Sequence, residues 1–232
     1  MKKRKSLLLS NQTLLRFDRE VADETGAVLC GVDEAGRGPL AGPVVVCAAI
    51  VKDPDFVSRI DDSKKLSPSQ RDEAYAEILQ KCVVSIAVYD EKRIDEMNIF
   101  RATLSAFVDA FDGLREKPTL VLIDGNADVY LPCARRLVTG GDARSFTIAC
   151  ASIVAKVTRD RIMRAYHDRY PEYGFDQHKG YGTPQHMAAL QKHGATPIHR
   201  RSFAPVALAL AGQDPSAAFS DLLDDEYYPE QP

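Results

Sequence analysis

The run Thr119-Leu120-Val121-Leu122-Ile123 most constrains how this chain folds. Pro118 opens it and Asp124-Gly125-Asn126 closes it, which gives it the length of a strand. It has almost no polar position, so neither face is built for water. A strand of that kind between helical segments belongs in the buried, parallel part of a sheet. Further strands are predicted at 27–33, 43–52 and 82–90, the last rich in β-branched residues. The short connection between the first two makes them an antiparallel pair. Helices are predicted over 6–25, Pro68 to Lys81 with Ser67 as cap, Asp95 to Gly113, Phe146 to Tyr170, and Gln185 to His193. The segment between Asn126 and Gly140 reads as irregular. Together these predict an α/β protein.

Length and charge narrow the class. At 232 residues with 45% apolar content the chain has enough material for a real core. No apolar run reaches the ~18 residues of a membrane span, so no membrane partner is expected. Five cysteines, odd in number and without a CxxC pair, favour reduced thiols and a cytoplasmic protein over a disulfide framework or a zinc site. The net charge of −3 hides an uneven distribution. Residues 1–20 carry a balance of +4 and residues 213–232 one of −6. Between Gln177 and Gln213 there is no acid, while Lys179, Lys192, Arg200, Arg201 and four histidines are present. Such a stretch can offer a positive face to a polyanion, or serve as a solvated loop and helix.

Four acids share one context. Asp33 and Glu34 end the first strand, Asp124 ends the apolar strand, and Asp142 sits in a Gly-flanked loop before the long helix. Ligand sites in open sheets form outside strand ends, so these groups converge if the 27–33 and 119–123 strands are neighbours. Two carboxylates ~4 Å apart repel by about 4 kcal/mol at an effective dielectric near 20. A cluster of four therefore calls for bound cations. Oxygen ligands without histidine or cysteine suit Mg²⁺ or Mn²⁺. Two such ions suit phosphodiester hydrolysis. Successive strand residues point to opposite faces, so Asp33 and Glu34 share an ion only if the strand twists or ends there; Gly36 makes an ending reasonable.

The motifs Asp33-Glu34-Ala35-Gly36-Arg37-Gly38-Pro39, Asp62-Ser63-Lys64-Lys65-Leu66-Ser67, Leu122-Ile123-Asp124-Gly125-Asn126 and Gly141-Asp142 resemble those of the bacterial ribonuclease HII family. Ala151 to Asp160 and His178-Lys179-Gly180-Tyr181-Gly182-Thr183 do so as well, in the same order, over about residues 15 to 208. The resemblance implies a ribonuclease H-like mixed central sheet with helices on both faces, plus a small C-terminal helical part. Residues 1–25 would be a basic N-terminal extension with a helix, 26–170 the catalytic core, 171–211 the C-terminal loop and helical part, and 212–232 a disordered acidic tail. It implies hydrolysis of RNA in RNA–DNA hybrids and cleavage 5′ to single ribonucleotides in duplex DNA, leaving 3′-hydroxyl and 5′-phosphate ends. By motif position, Asp33, Glu34, Asp124 and Asp142 would be the catalytic metal ligands for two Mg²⁺ or Mn²⁺ ions.

Gly36-Arg37-Gly38 would read the ribose 2′-OH, the group that separates RNA from DNA. Glycine on both sides of Arg37 would let the backbone approach it. Tyr181 would pack on the deoxyribose of the following nucleotide. Lys64 could approach a phosphate, as could Lys179, Arg200 and Arg201. Ser152, Lys156 and Arg159 share one helix face, and Arg159 and Asp160 read as structural. The family often has Lys before Gly141-Asp142, where this chain has Gly140; a missing cation there would leave the Asp142 pKa higher unless something compensates. Cys150 replaces a usual alanine. Gln12 to Phe17 has the Q-x-x-L-x-F spacing of peptides that dock on sliding clamps, although a helix packed on the core explains the same residues. A monomer satisfies all of this. A resolvase-like nuclease, a non-catalytic nucleic-acid-binding module or a Mg²⁺-dependent phosphatase would also use acidic loops, but none needs both Gly-Arg-Gly and Tyr181.

Overall fold

A computed structural model describes residues 2–222, with side chains from 11 to 218. Two compact units result. Among the described residues the first comprises 2–35, 45–88 and 103–158, and the second 36–44, 89–102 and 159–222.

The first unit holds a five-stranded sheet. Its strands are β1 (Leu29–Ala35), β2 (Val44–Val51), β3 (Cys82–Tyr89), β4 (Leu120–Asp124) and β5 (Ala134–Val138), in the order β3-β2-β1-β4-β5. β1 runs antiparallel to β2 and parallel to β4, which is parallel to β5, so the sheet is mixed. The apolar 119–123 run is a parallel strand as expected, and Leu120, Val121, Leu122 and Ile123 are all buried. Leu120 and Leu122 form one cluster with Val21, Val138 and Ile148, against which Phe17 and Leu29 pack. That cluster draws on helix α1 (Lys2–Thr25) and helix α5 (Phe146–Arg169). Val121 and Ile123 point to the opposite face and are equally dry, so β4 is covered on both sides.

Helix α2 (Pro68–Lys81) begins as predicted: the Ser67 hydroxyl accepts from the Gln70 amide, the Gln70 side chain accepts from the Ser67 amide, and Pro68 fills the first turn. The expected helix over 95–113 is instead two, α3 (Glu91–Met97) and α4 (Ile99–Asp112). Asn98 between them has φ 66°, and its side chain accepts from the Arg101 amide, so it ends one helix and caps the next. β5 was not predicted. Most of Ala134-Arg135-Arg136-Leu137 is exposed, and a charged edge strand shows no apolar alternation.

In the second unit, Leu40 and Gly42 are laced to the C-terminal part through main-chain hydrogen bonds to Gly180 and Ile198, and Ala41 bridges to His199. The segment after Tyr170, expected as a loop, contains a 3-10 turn (Pro171–Tyr173) and the short helix α6 (Phe175–His178). Helices α7 (Pro184–His193) and α8 (Ala204–Leu210) follow, and α8 was not foreseen. The tail expected to be disordered from 212 instead forms a 3-10 segment at Pro215–Leu222, with Pro215 buried. Residues 223–232, the rest of that tail, lie outside the described residues. Among the described residues no helix is long and apolar enough to cross a membrane.

Candidate metal centre and ribose-reading turn

β1 and β4 run side by side up to the pair Val32 and Ile123, where their ladder stops. The next positions on the two strands are Asp33 and Asp124. Register-matched residues on parallel neighbours project from the same face, so the two carboxylates meet where the strands part. β1 itself does not end there, contrary to expectation. It stays paired with β2 through Ala35, and β4 stays paired with β5 through Asp124. The opening is therefore local to the β1–β4 seam, at the carboxyl ends of parallel strands.

Asp33 is only 6% exposed. Burial, then the charges of Glu34 and Asp124, push its carboxyl well above the usual carboxylate range; hydrogen bonds from Ser152 and the Glu34 amide offset part of this. The amide contact, from the next residue onto Oδ1, is 2.7 Å. Ser152 on α5 thus faces this acid, and its hydroxyl lies 3.1 Å from that of Ser63. Asp124 Oδ1 accepts from the Gly141 amide at 2.6 Å, which ties the end of β4 to the loop carrying Asp142. A Cβ on Gly141 would fall 3.1 Å from that oxygen and 2.6 Å from Ile148 Cδ1, so a side chain there would push on both.

The Asp142 carboxyl is pushed up to about 6 by burial, by the charges of Asp62 and Asp124, and by a hydrogen bond with Asp62; Lys64 pulls the other way. Two points follow. Lys64 supplies positive charge that Gly140 does not, so the departure at 140 is partly compensated. Asp62 is a further acid of the site that went unselected in the sequence. It stood in the quoted Asp-Ser-Lys motif, where it also reads as a cap, and it does accept the Lys64 amide.

All donors gathered here are oxygens, which suits a hard divalent cation. Among the described residues no three acidic, imidazole or thiol side chains stand as a ready-made metal cage. The carboxylates approach within electrostatic reach without closing on one point. The proton affinities of Asp33 and Asp142 are raised by burial first and by neighbouring acids second, so a cation here would relieve both. The residues fit divalent ions drawn into a repulsive acidic opening.

The second unit carries the other predicted residues. Gly36 is buried, while Arg37 and Gly38 are exposed. Gly36 has φ +97°, and a Cβ there would lie 2.0 Å from Arg159 Nε. Its glycine is thus demanded from within the protein, not by a ligand. Gly38 differs: a Cβ would meet only the Tyr181 ring, at 3.6 Å, which places that ring beside the turn. Tyr181 is 41% exposed, so its face is open.

A chain of histidines holds the Tyr181 carbonyl. His199 Nδ1 accepts the Thr196 amide (2.9 Å), so its Nε2 bears the proton and donates to His186 Nε2 (3.0 Å). His186 then carries its own proton on Nδ1 and donates to the Tyr181 carbonyl (2.9 Å). Burial keeps both rings neutral, with pKa values lowered to about 4 and about 3 for His186 and His199. Of the suggested phosphate contacts, Arg200 must be corrected: it is fully buried and bonded to backbone carbonyls. Lys179 turns its ammonium onto the Asp176 and Gln177 carbonyls. Arg201 is exposed, and its main-chain amide donates to Asp95. Arg159 is structural, donating to the Pro43 and Ala41 carbonyls.

The mixed five-stranded sheet with helices, and acids at its parallel strand ends, is the architecture of the ribonuclease H type. The family model described as Ribonuclease HII matches residues 30–206. A Ribonuclease HII from Xanthomonas oryzae pv. oryzae is 50% identical over 203 residues, covering 85% of this chain and 80% of that one. The structure of the ribonuclease H2 from Pyrococcus horikoshii superposes with TM-score 0.67 at 28% identity, covering 78% of this chain and 96% of that one. The PCNA:RNase HII complex from Archaeoglobus fulgidus gives TM-score 0.65 at 25% identity, covering 76% and 95%. The chain belongs to the ribonuclease HII family. It is a divalent-metal-dependent endoribonuclease acting on RNA–DNA hybrids.

Proposed function

We propose that this enzyme also cuts duplex DNA on the 5′ side of a single embedded ribonucleotide, leaving 3′-hydroxyl and 5′-phosphate ends. The observation that carries the assignment of the centre is the parting of β1 and β4 at Asp33 and Asp124, with Glu34 acting on the same buried carboxyl. Asp33, Glu34, Asp124 and Asp142 would hold two Mg²⁺ or Mn²⁺ ions, and such ions would supply Lewis acidity for activating water and for stabilising charge on the leaving oxygen. Asp62 holds Asp142 through their shared hydrogen bond, and Lys64 balances the local charge. Gly36-Arg37-Gly38 reads the ribose 2′-OH through its backbone, and the open face of Tyr181 packs on the deoxyribose that follows.

All four carboxylates come from one chain, so a monomer is a sufficient catalytic unit. Five cysteines without a disulfide partner fit a cytoplasmic setting. Clamp binding through Gln12 to Phe17 is the weaker element. Gln12 is exposed and Leu15 half-buried, but Phe17 packs on the core cluster, so one of the three side chains a clamp would take is already in use.

The test is a duplex DNA with one internal ribonucleotide, incubated with Mg²⁺. One cut 5′ to that nucleotide is expected, and its absence would refute the proposal. Asp124→Asn should remove cleavage and retain duplex binding; normal cleavage by that variant would overturn the site assignment.

A further inference from the structure

Two arginines lie buried behind the ribose-reading turn, and neither has a role in the activity described so far. Arg200 is 0% exposed and Arg159 is 1% exposed. Arg200 donates from Nη2 to the Gly36 carbonyl (2.6 Å), from Nη1 to the Arg37 carbonyl (2.8 Å) and from Nε to the Gly42 carbonyl (2.9 Å). Arg159 donates from Nε to the Pro43 carbonyl (2.9 Å) and from Nη2 to that of Ala41 (3.1 Å). Five carbonyls of one short segment are thereby turned inward onto two guanidinium groups.

We propose that Arg200, backed by Arg159, is the positioning residue that sets the direction of the ribose-reading amides. In a trans peptide the C=O and the following N–H point opposite ways. Pinning the Gly36 carbonyl inward therefore aims the Arg37 N–H outward, and pinning the Arg37 carbonyl aims the Gly38 N–H outward. Both residues are exposed, and both N–H bonds point to the side away from Arg200. Two adjacent N–H groups can hold a 2′-oxygen as acceptor. The guanidinium behind them polarises both peptide units and strengthens the donors.

Carboxyls stand around both guanidinium groups: Asp160 and Glu91 act on Arg159, and Glu91 and Asp95 on Arg200. The carboxyl acting on both arginines is Glu91, which is itself buried, has Oε1 without a hydrogen-bond partner, and has its proton affinity raised by burial. Only arginine can serve three fixed acceptors at once; a lysine is a point charge on a flexible stem.

This inference rests on the proposed role of Gly36-Arg37-Gly38. The experiment compares the parent enzyme with Arg200→Lys on a duplex with one ribonucleotide and on a full RNA–DNA hybrid, alongside Mg²⁺-dependent thermal shifts. The variant is expected to lose about 100-fold in kcat on both substrates, as for a misplaced contact of about 1 Å, with an unchanged Mg²⁺ midpoint. A kcat within threefold of the parent overturns the proposal. So does a loss accompanied by an equal weakening of Mg²⁺ response, which is the signature of general destabilisation. Failure of the parent itself on the single ribonucleotide would instead refute the proposed function, and the hybrid comparison would still decide the role of Arg200. A second measurement needs no variant. The Arg37 and Gly38 amide resonances should shift when the ribonucleotide duplex binds in Ca²⁺, and not with an all-DNA duplex of the same sequence. Unmoved amides in the bound state overturn the proposal even if Arg200→Lys fails to fold.

Discussion

Replacing Asp33 with asparagine should stabilise the metal-free protein while abolishing cleavage. Asp33 is buried, and the charges of Glu34 and Asp124 both oppose its ionisation. Neighbouring strands lie about 4.8 Å apart, so a register-matched carboxylate pair repels by about 3 kcal/mol at an effective dielectric near 20. The fold retains part of that cost as a raised proton affinity. Asparagine is nearly the same shape and can still accept the Glu34 amide that now contacts Oδ1 at 2.7 Å. Its NH₂ can donate to an acidic neighbour, which turns a repulsion into a hydrogen bond. A net gain of about 2 kcal/mol corresponds to about 4–8 °C in Tm for a chain of this size.

The pH dependence has a definite sign. The folded Asp33 carboxyl titrates above its unfolded value, so wild-type stability falls as pH rises between the two and the penalty is complete above the folded pKa. The advantage of Asp33→Asn should therefore grow as pH rises and vanish near pH 4. Scanning calorimetry in EDTA between pH 4 and 8 measures it. Added Mg²⁺ should raise the Tm of the wild type far more than that of the variant. A metal-free Tm at pH 7.5 equal to or below that of the wild type would refute the claim that the acids at this seam are electrostatically frustrated.

Three further outcomes follow from the same geometry. Gly140 has φ +61° with open space around a would-be Cβ, so Gly140→Lys should cost only the left-handed backbone penalty of about 1–2 kcal/mol; the added cation should lower the Mg²⁺ concentration for half-maximal activity, and an unchanged or raised requirement would be wrong for this site. Gly141→Ala should drive a methyl against Asp124 Oδ1 and Ile148, cutting kcat at least tenfold while duplex binding, measured by fluorescence anisotropy, is retained. His186 and His199 should remain neutral in ¹⁵N NMR spectra down to pH 5, protonated on Nδ1 and Nε2 respectively. Because their folded pKa values are lowered to about 4 and about 3, their contribution to stability is complete above about pH 6.5 and is lost as pH falls toward those values.

Much of the sheet was legible because burial leaves a mark on sequence. β4 is apolar at every position before Asp124 because both of its faces are dry, and the β1–β2 pairing follows from two apolar runs with a short connection. β5 was not legible, since Arg135 and Arg136 sit on an exposed edge where water imposes no pattern. The break at Asn98 was hidden because the residues on both sides continue one amphipathic pattern. Asp33, Glu34, Asp124 and Asp142 could be picked out as acids at strand ends and loops, whereas Asp62 could not, since its part depends on a contact with Asp142 that local sequence does not encode. Arg200 was misread for the same reason. Charge predicts exposure only when no interior group needs that charge, and here the need comes from carbonyls up to 164 residues away.

The seam where β1 and β4 part links fold and chemistry in one physical step. A ladder of two parallel apolar strands has every reason to continue beyond Val32 and Ile123, and each strand does continue on its other side. What changes at that point is charge: the next register-matched pair is Asp33 and Asp124. Closing the ladder would press two carboxylates together away from water, at a cost larger than the roughly 1 kcal/mol that a backbone hydrogen bond returns. On this reasoning repulsion outweighs the lost pairing at the one remaining position, since β4 itself ends at Asp124. It follows that neutralising both acids together should let the ladder extend. Asp33→Asn combined with Asp124→Asn should slow amide hydrogen exchange at the ends of β1 and β4 beyond either single change. Exchange no slower than in the single variants would mean that the strands part for a reason other than charge.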